Sequence, residues 1–365
     1  MPVRLLLDKE NTTFIIDGHL DLAMNALQWN RDLRLPVAEM RRLEADVPGK
    51  GRGRSTVAFP EMRSGVGLCI ATLIARVARE GNPLAGYRTP DIACAIAHGQ
   101  LAYYRLLEAD GLARIIADRV ALYRHAAAWQ SGVANDAPLG FILSMEGADP
   151  IMSPDQVPGW FAAGLRIVGL THYGVSTYAH GTGTEGGLTP LGKPLLRAME
   201  AAGMLLDVTH LADQSMAEAL DAFGGTVLAS HHNCRALVPG DRQLTDDQIR
   251  RLVERGAVIG AATDDWMLYP GWVRGESDPS LVSLGDVVDH IDHVCQLAGN
   301  SRHSAIGTDL DGGYGTEQTP GDLNTIADLQ KLPALLQQRG YTPQDVENIL
   351  HGNWLRLLER ALPVA

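Results

Sequence analysis

The sequence predicts an α/β fold, a TIM-type (β/α)₈ barrel. Three observations carry that expectation: short apolar β-like runs alternate with amphipathic helical patterns, the runs number eight, and six of them end at or beside a histidine or a carboxylate. The runs cover residues 14–19, 66–75, 139–146, 165–172, 204–210, 226–231, 257–263 and 304–309. Each is largely apolar and bounded by Gly or turn residues, as expected of strands buried on both faces. Between them, helices are expected over 91–110, 190–202, 213–223, 245–255 and 284–298, several opened by capping residues and closed by Gly. At 365 residues the chain can bury a large core, and residues 1–365 are expected to form one barrel domain.

Composition narrows the class. Apolar residues make up 45% and charged residues 20%, with 39 Gly and 19 Pro, which excludes a disordered, collagen-like or coiled-coil chain. The net charge of −12 opposes the basic footprint that nucleic acid requires. Cys69, Cys94, Cys234 and Cys295 show no paired spacing and read as reduced thiols, so a cytoplasmic location is expected. The early Leu5–Leu7 run is too short for a signal-peptide core, and no apolar run of about 18 residues follows, so neither export nor membrane insertion is expected. Residues 30–65, where Gly49, Gly51 and Gly53 interleave with Lys50, Arg52 and Arg54, form a long insertion after the first run. It reads either as a solvated loop or as a lid or wall over the barrel mouth.

Catalytic groups of such a barrel project from the C-terminal strand ends. Those ends carry His19 and Asp21, Glu146, His172, His210, His231 and Asp309. One such group alone would be unremarkable; together, imidazoles and carboxylates are the ligands of zinc and its neighbours, and a carboxylate can bridge two cations. The His19-Leu20-Asp21 spacing puts both side chains on one face of an extended segment. Related barrel enzymes that open with a second His often use a carbamylated lysine as the bridge. Here the only lysines, Lys9, Lys50, Lys193 and Lys331, fall off the candidate strands, which leaves Glu146 as the bridging group.

The remaining histidines have blander readings. His98, His125, His290, His293, His303 and His351 fall in helical or connecting segments, with packing or exposed roles. His180 and His232 follow strand-end groups closely enough to reach the pocket. Asp17 and Asp311 read as supports that fix loops or orient ligands.

Several stretches resemble the membrane (renal) dipeptidase family, metallopeptidase family M19. They are Ile16-Asp-Gly-His-Leu-Asp21, Met145-Glu-Gly147, Leu170-Thr-His172, Gly187-Leu-Thr-Pro-Leu-Gly192, Asp207-Val-Thr-His-Leu211, Ala229-Ser-His231, Arg242-Gln-Leu-Thr245 and Ile306-Gly-Thr-Asp-Leu-Asp-Gly312, in the family's order. The resemblance implies a metal-dependent hydrolase barrel with two Zn²⁺ per chain. In it His19 and Asp21 bind one ion, His210 and His231 bind the other, and Glu146 bridges them. It also implies that His172 binds substrate, Asp309 is the catalytic acid/base and Arg242 grips the terminal carboxylate. A metal-held hydroxide would then attack the peptide carbonyl of a small dipeptide, L,D-dipeptides included, and a homodimer is compatible with the family. The alternative is another amidohydrolase-type reaction, on N-acyl amino acids, β-lactams or lactones. A barrel whose metals only support a binding surface is disfavoured, because Asp309 and Arg242 accompany all five ligands. Leu310, His232 and the Thr-Asp-Asp-Trp segment at 263–266 depart from the family pattern. These departures bear on substrate preference, which the shapes of 30–65, 173–187 and 264–283 would set.

Overall fold

The structure, a computed structural model, describes residues 12–131 and 137–364. The N-terminal run weighed above as a leader lies outside them. Nine strands occur among the described residues: β1 (Ile15–Leu20), β2 (Val66–Ile74), β3 (Ala113–Ile115), β4 (Leu139–Glu146), β5 (Leu165–Gly169), β6 (Leu205–Asp207), β7 (Val227–Leu228), β8 (Ile259–Ala261) and β9 (Ser304–Ile306). All the pairings are parallel, in the order β7-β6-β5-β4-β2-β1-β9-β8. A single parallel bridge, Ala229 to Ile259, draws β7 to β8 and nearly closes a ring of eight. Apart from β3, the strands are buried along their whole length, which is why they read as continuous apolar runs rather than alternating ones.

A strand falls on each of the eight predicted runs: β4 matches its run, β1 is shifted by one residue, and the other six are shorter than expected. The strand missed by sequence reasoning, β3, has only Ala-Arg-Ile and no apolar run to mark it. It pairs with Leu139–Phe141 at the start of β4, on the edge that β5 takes over from Leu143. The expected helices appear at Pro90–Ala109, Gly192–Ala202, Asp213–Ala222, Asp246–Glu254 and Leu284–Ala298. Thr245 with Gln248 and Ser283 with Asp286 form capping boxes, and Gly203 and Gly299 end their helices at φ 76° and 68°.

The barrel closes over a tight seam. A Cβ on Gly307 would lie 1.8 Å from the Ser230 carbonyl oxygen, and one on Gly260 would lie 2.1 Å from the same atom. Only glycine permits that approach, which sets the backbone beside His231. The insertion at 30–65 is a packed wall and not a solvated loop. Val57, Ala58, Phe59 and Met62 are buried, and buried Arg31 clamps it through Glu44 (3.0 Å), the Gly51 carbonyl (2.6 Å) and Asn25 (2.8 Å).

Candidate metal centre

The positioning rule of the barrel is regular. His172, His210, His231 and Asp309 each stand three residues beyond the end of β5, β6, β7 and β9, while Glu146 closes β4 and Asp21 follows β1. Apart from Glu146, these residues sit beyond the strand ends, where the chain can leave the extended conformation. His210 and Asp309 do so at φ 66° and 59°, a left-handed conformation that non-glycine residues adopt at a cost of about 1 kcal/mol or more. That strain turns both side chains into the cup.

There the predicted residues converge. Glu146 Oε1 is 3.2 Å from His210 Nε2 and 3.4 Å from His231 Nε2, and its Oε2 is 3.6 Å from His19 Nε2. His19 Nε2 is 3.8 Å from Asp21 and 3.9 Å from Asp309. Two triads able to hold a cation result, His19/Asp21/Glu146 and Glu146/His210/His231, with Glu146 in both. A third grouping, His19/His231/Asp309, shares the same space. His19 Nε2, Asp21 Oδ1 and Glu146 Oε1 are buried without a hydrogen-bond partner. Buried polar atoms left bare are costly, and a shared cation would satisfy all three. The donor set of imidazole nitrogens and carboxylate oxygens fits zinc and similar divalent ions.

Electrostatics show the same conflict. Burial raises Asp21 to about 7, with Glu146 adding to the rise. Burial also pushes Asp309 well above the usual carboxylate range, and repulsion from Glu146 and Asp21 adds to this. Burial lowers His210 and His231 well below their ordinary value, so both are neutral and able to ligate. Hydroxyls face their far nitrogens: Thr182 lies 3.0 Å from His210 Nδ1 and Ser230 lies 2.9 Å from His231 Nδ1. An Nδ1–H donated to each hydroxyl leaves Nε2 bare toward the cup.

A cavity of about 320 Å³ opens above this cluster, with His172, Arg242 and Asp309 in its walls. Arg242 is buried, donates one bond to the His231 carbonyl (3.0 Å), and has Nε and Nη1 without a partner. Such a guanidinium calls for an anion. The supports are also in place. Asp311 accepts from Thr56 N and Oγ1 (2.7 Å each) and Val57 N (3.1 Å), and Asp17 accepts from Thr308 Oγ1 (2.6 Å), so both fix backbone rather than imidazole. His180 and His232 are absent from the cavity lining; His180 is bound to the Gly187 carbonyl. His293 has a carboxylate partner that its sequence context does not suggest, Asp246 at 2.8 Å.

Arg76, two residues past β2, is not among the expected site residues, because a strand-end rule of histidines and acids passes over a base. Counting bases there would have found it. Tyr173, Asp264 and Arg274, from the loops after β5 and β8, also line the cavity, as does Lys50 from the insertion.

The chain is similar to known proteins at two levels. Dipeptidase tcpJ of Claviceps purpurea is 31% identical over 209 residues, which is 55% of this chain and 46% of that protein. Dipeptidase aclJ of Aspergillus oryzae is 31% identical over 225 residues, 60% of this chain and 50% of the relative. The chain thus spans about half the length of these curated relatives. Among solved structures, the metallopeptidase dipeptidase AC superposes with a TM-score of 0.78 at 22% identity, covering 97% of this chain and 100% of that one. A metallopeptidase of Rhodobacter sphaeroides, solved with a phosphinate mimic of L-Ala-D-Ala, gives 0.76 at 22% identity, covering 96% and 100%. At such identities the structural likeness speaks for the barrel. The sequence profile described as membrane dipeptidase (peptidase family M19) matches residues 8–365, nearly the whole chain. With that span and the converging strand-end residues, this chain belongs to the membrane dipeptidase family, peptidase family M19.

Proposed function

We propose that this protein is a binuclear zinc dipeptidase acting on small free dipeptides, L,D-dipeptides among them. The observation that supports it is the pair of ligand triads sharing Glu146. In this reading His19 and Asp21 would hold one ion and His210 and His231 the other, with Glu146 shared between them. Bound there, the two cations supply a water that ionises near neutrality and a Lewis acid for the carbonyl oxygen.

The chain's own groups do the rest. Arg242 pairs its free fork with the substrate's terminal carboxylate and so fixes the peptide's register. His172 donates from Nε2 to the oxyanion that develops on the carbonyl. Asp309 accepts the proton of the attacking water and delivers it to the departing amine. The cavity, at the low end of the roughly 300–1,000 Å³ of ligand pockets, suits a substrate of dipeptide size. We also propose that residues 1–365 work as one catalytic barrel domain.

The test is hydrolysis of L,L- and L,D-dipeptides by zinc-loaded protein beside a chelator-treated aliquot. Cleavage lost with the metal and restored by its return supports the reading, with two metals per chain by elemental analysis. A fully loaded protein that cleaves none of them would transfer the site to the acylated amino acids and lactones.

A further inference from the structure

The ligand residues account for the floor of the cavity but not for its mouth. The chain carries 43 acidic against 31 basic side chains, yet Lys50, Arg76, Arg242 and Arg274 all line this one cavity. Of the acids facing them, Asp21, Glu146 and Asp309 belong to the ligand groupings. Asp264 stands apart and is already engaged. It accepts from Gln318 (2.5 Å) and from the Trp266 indole (2.6 Å), and Arg274 lies 3.9 Å away.

Arg242 and Arg76 have tasks at the cavity floor, the first beside His231 and the second on His172. Lys50 and Arg274 do not. Lys50 lies 5.8 Å from the centre of the Tyr314 ring and makes no hydrogen bond or ion pair among the described residues. Arg274 stacks on Trp266 at 4.5 Å, with half its side chain in solvent. Each arrives on an insertion rather than on the barrel: Lys50 on the wall clamped by Arg31, Arg274 on the loop after β8. Two separate insertions thus bring positive charge to the same opening.

Their position relative to Arg242 gives the charge a use. Tyr173, Arg242 and Arg274 line the same cavity, with Lys50 beside them. A substrate whose terminal carboxylate pairs with Arg242 therefore lies in the cavity that Arg274 and Lys50 also line. Resting on the dipeptidase reading, we propose that Lys50 and Arg274 form an anion subsite that selects dipeptides whose C-terminal residue carries a side-chain carboxylate. Partly exposed pairs of this kind contribute modestly each, so the expected preference is roughly three- to tenfold, and it weakens with salt.

The experiment compares kcat/KM for zinc-loaded protein on isosteric pairs, Ala-Asp with Ala-Asn and Ala-Glu with Ala-Gln, in L,L and L,D forms, at low and high ionic strength. The acid member should win, the margin should shrink with salt, and Lys50→Met and Arg274→Met should each bring the ratio toward one. Equal rates within each pair, or a ratio untouched by both substitutions, would overturn the subsite. A preference for the acid member only in the reversed pair, Asp-Ala with Asn-Ala, would overturn its placement. Calorimetric binding of free aspartate against asparagine separates the two levels of the argument. If no dipeptide is cleaved but aspartate still binds more tightly and loses that margin in the variants, the subsite stands and the dipeptidase reading falls. If aspartate and asparagine bind alike, the subsite falls whatever is cleaved.

Discussion

An Nη nitrogen of Arg76 lies 2.6 Å from Nδ1 of His172. A guanidinium only donates, so that nitrogen must accept and the ring proton must sit on Nε2, facing the cup 3.8 Å from Glu146. His210 and His231 are held the other way, with hydroxyls at Nδ1 and bare Nε2 atoms. One cup therefore contains imidazoles of two kinds. The partner of the far nitrogen decides which can ligate and which can donate. Burial, with Arg76 and Arg242 adding to its effect against Glu146, holds His172 down at about 3, so it stays a neutral donor. Arg76 is itself held by its Nε bond to the Ala85 carbonyl at 2.8 Å.

Replacing Arg76 with Met should lower kcat by about ten- to a hundredfold, leaving KM and metal content near the parent values, because the ring loses the contact that fixes its tautomer. Arg76→Lys should restore part of the loss. Nitrogen-15 spectra of the imidazoles give a readout independent of turnover: the His172 pattern should move from a single Nε2–H form to a mixture. An unchanged pattern beside a lower kcat would mean that Arg76 acts by another route.

Asp309 sits close enough to His19 to be mistaken for a ligand, at 3.9 Å. If it moves protons instead, Asp309→Asn should retain both metals and lose at least about a hundredfold in kcat. Elemental analysis beside kinetics separates the roles. Loss of a metal in that variant would place Asp309 in the coordination sphere, and full activity would remove it from the mechanism.

The barrel and the cluster of polar groups at its strand ends were legible because both are written locally. Strands buried on both faces must be apolar throughout, and the groups that end them need only be polar to stand out. What escaped was written at a distance. Arg76 means little beside β2 until the fold brings it to His172, 96 residues away. Lys50 and Arg274 sit in segments without periodicity, and only packing shows that these close on one mouth. Strand β3, three residues long, depends on the free edge of β4 for its existence.

The wall that carries Lys50 hangs on Asp311, buried and ion-paired to Arg31 at 3.3 Å while accepting from Thr56 and Val57. Removing the Asp311 carboxylate leaves the buried Thr56 and Val57 N–H groups without an acceptor, at about 1–3 kcal/mol each, while Arg31 keeps its pairing with Glu44. Asp311→Ala should therefore cost about 3 kcal/mol in urea unfolding and render the segment 30–65 sensitive to proteolysis before the barrel. Global unfolding without early cleavage there would show that the wall is not a separate cooperative unit.

Acid should weaken the fold through histidines remote from the metal cluster. Burial lowers His125 to about 4, its Nε2 bound to the Gly67 carbonyl at 2.8 Å, and lowers His290 to about 4, its Nδ1 accepting from Cys234 N at 3.0 Å. Both are neutral in the folded chain, whereas the unfolded chain protonates them near 6.5. Their stabilisation is thus complete above about pH 6.5 and lost as the pH falls toward 4, by at most on the order of 3 kcal/mol per group. Urea unfolding of chelator-treated protein at pH 7.5, 6 and 5 isolates this effect from metal release. The double variant His125→Gln, His290→Gln should show a shallower fall than the parent, and an equal slope in the two proteins would assign acid sensitivity to other groups, the cup and the lowered His232, His303 and His351 among them.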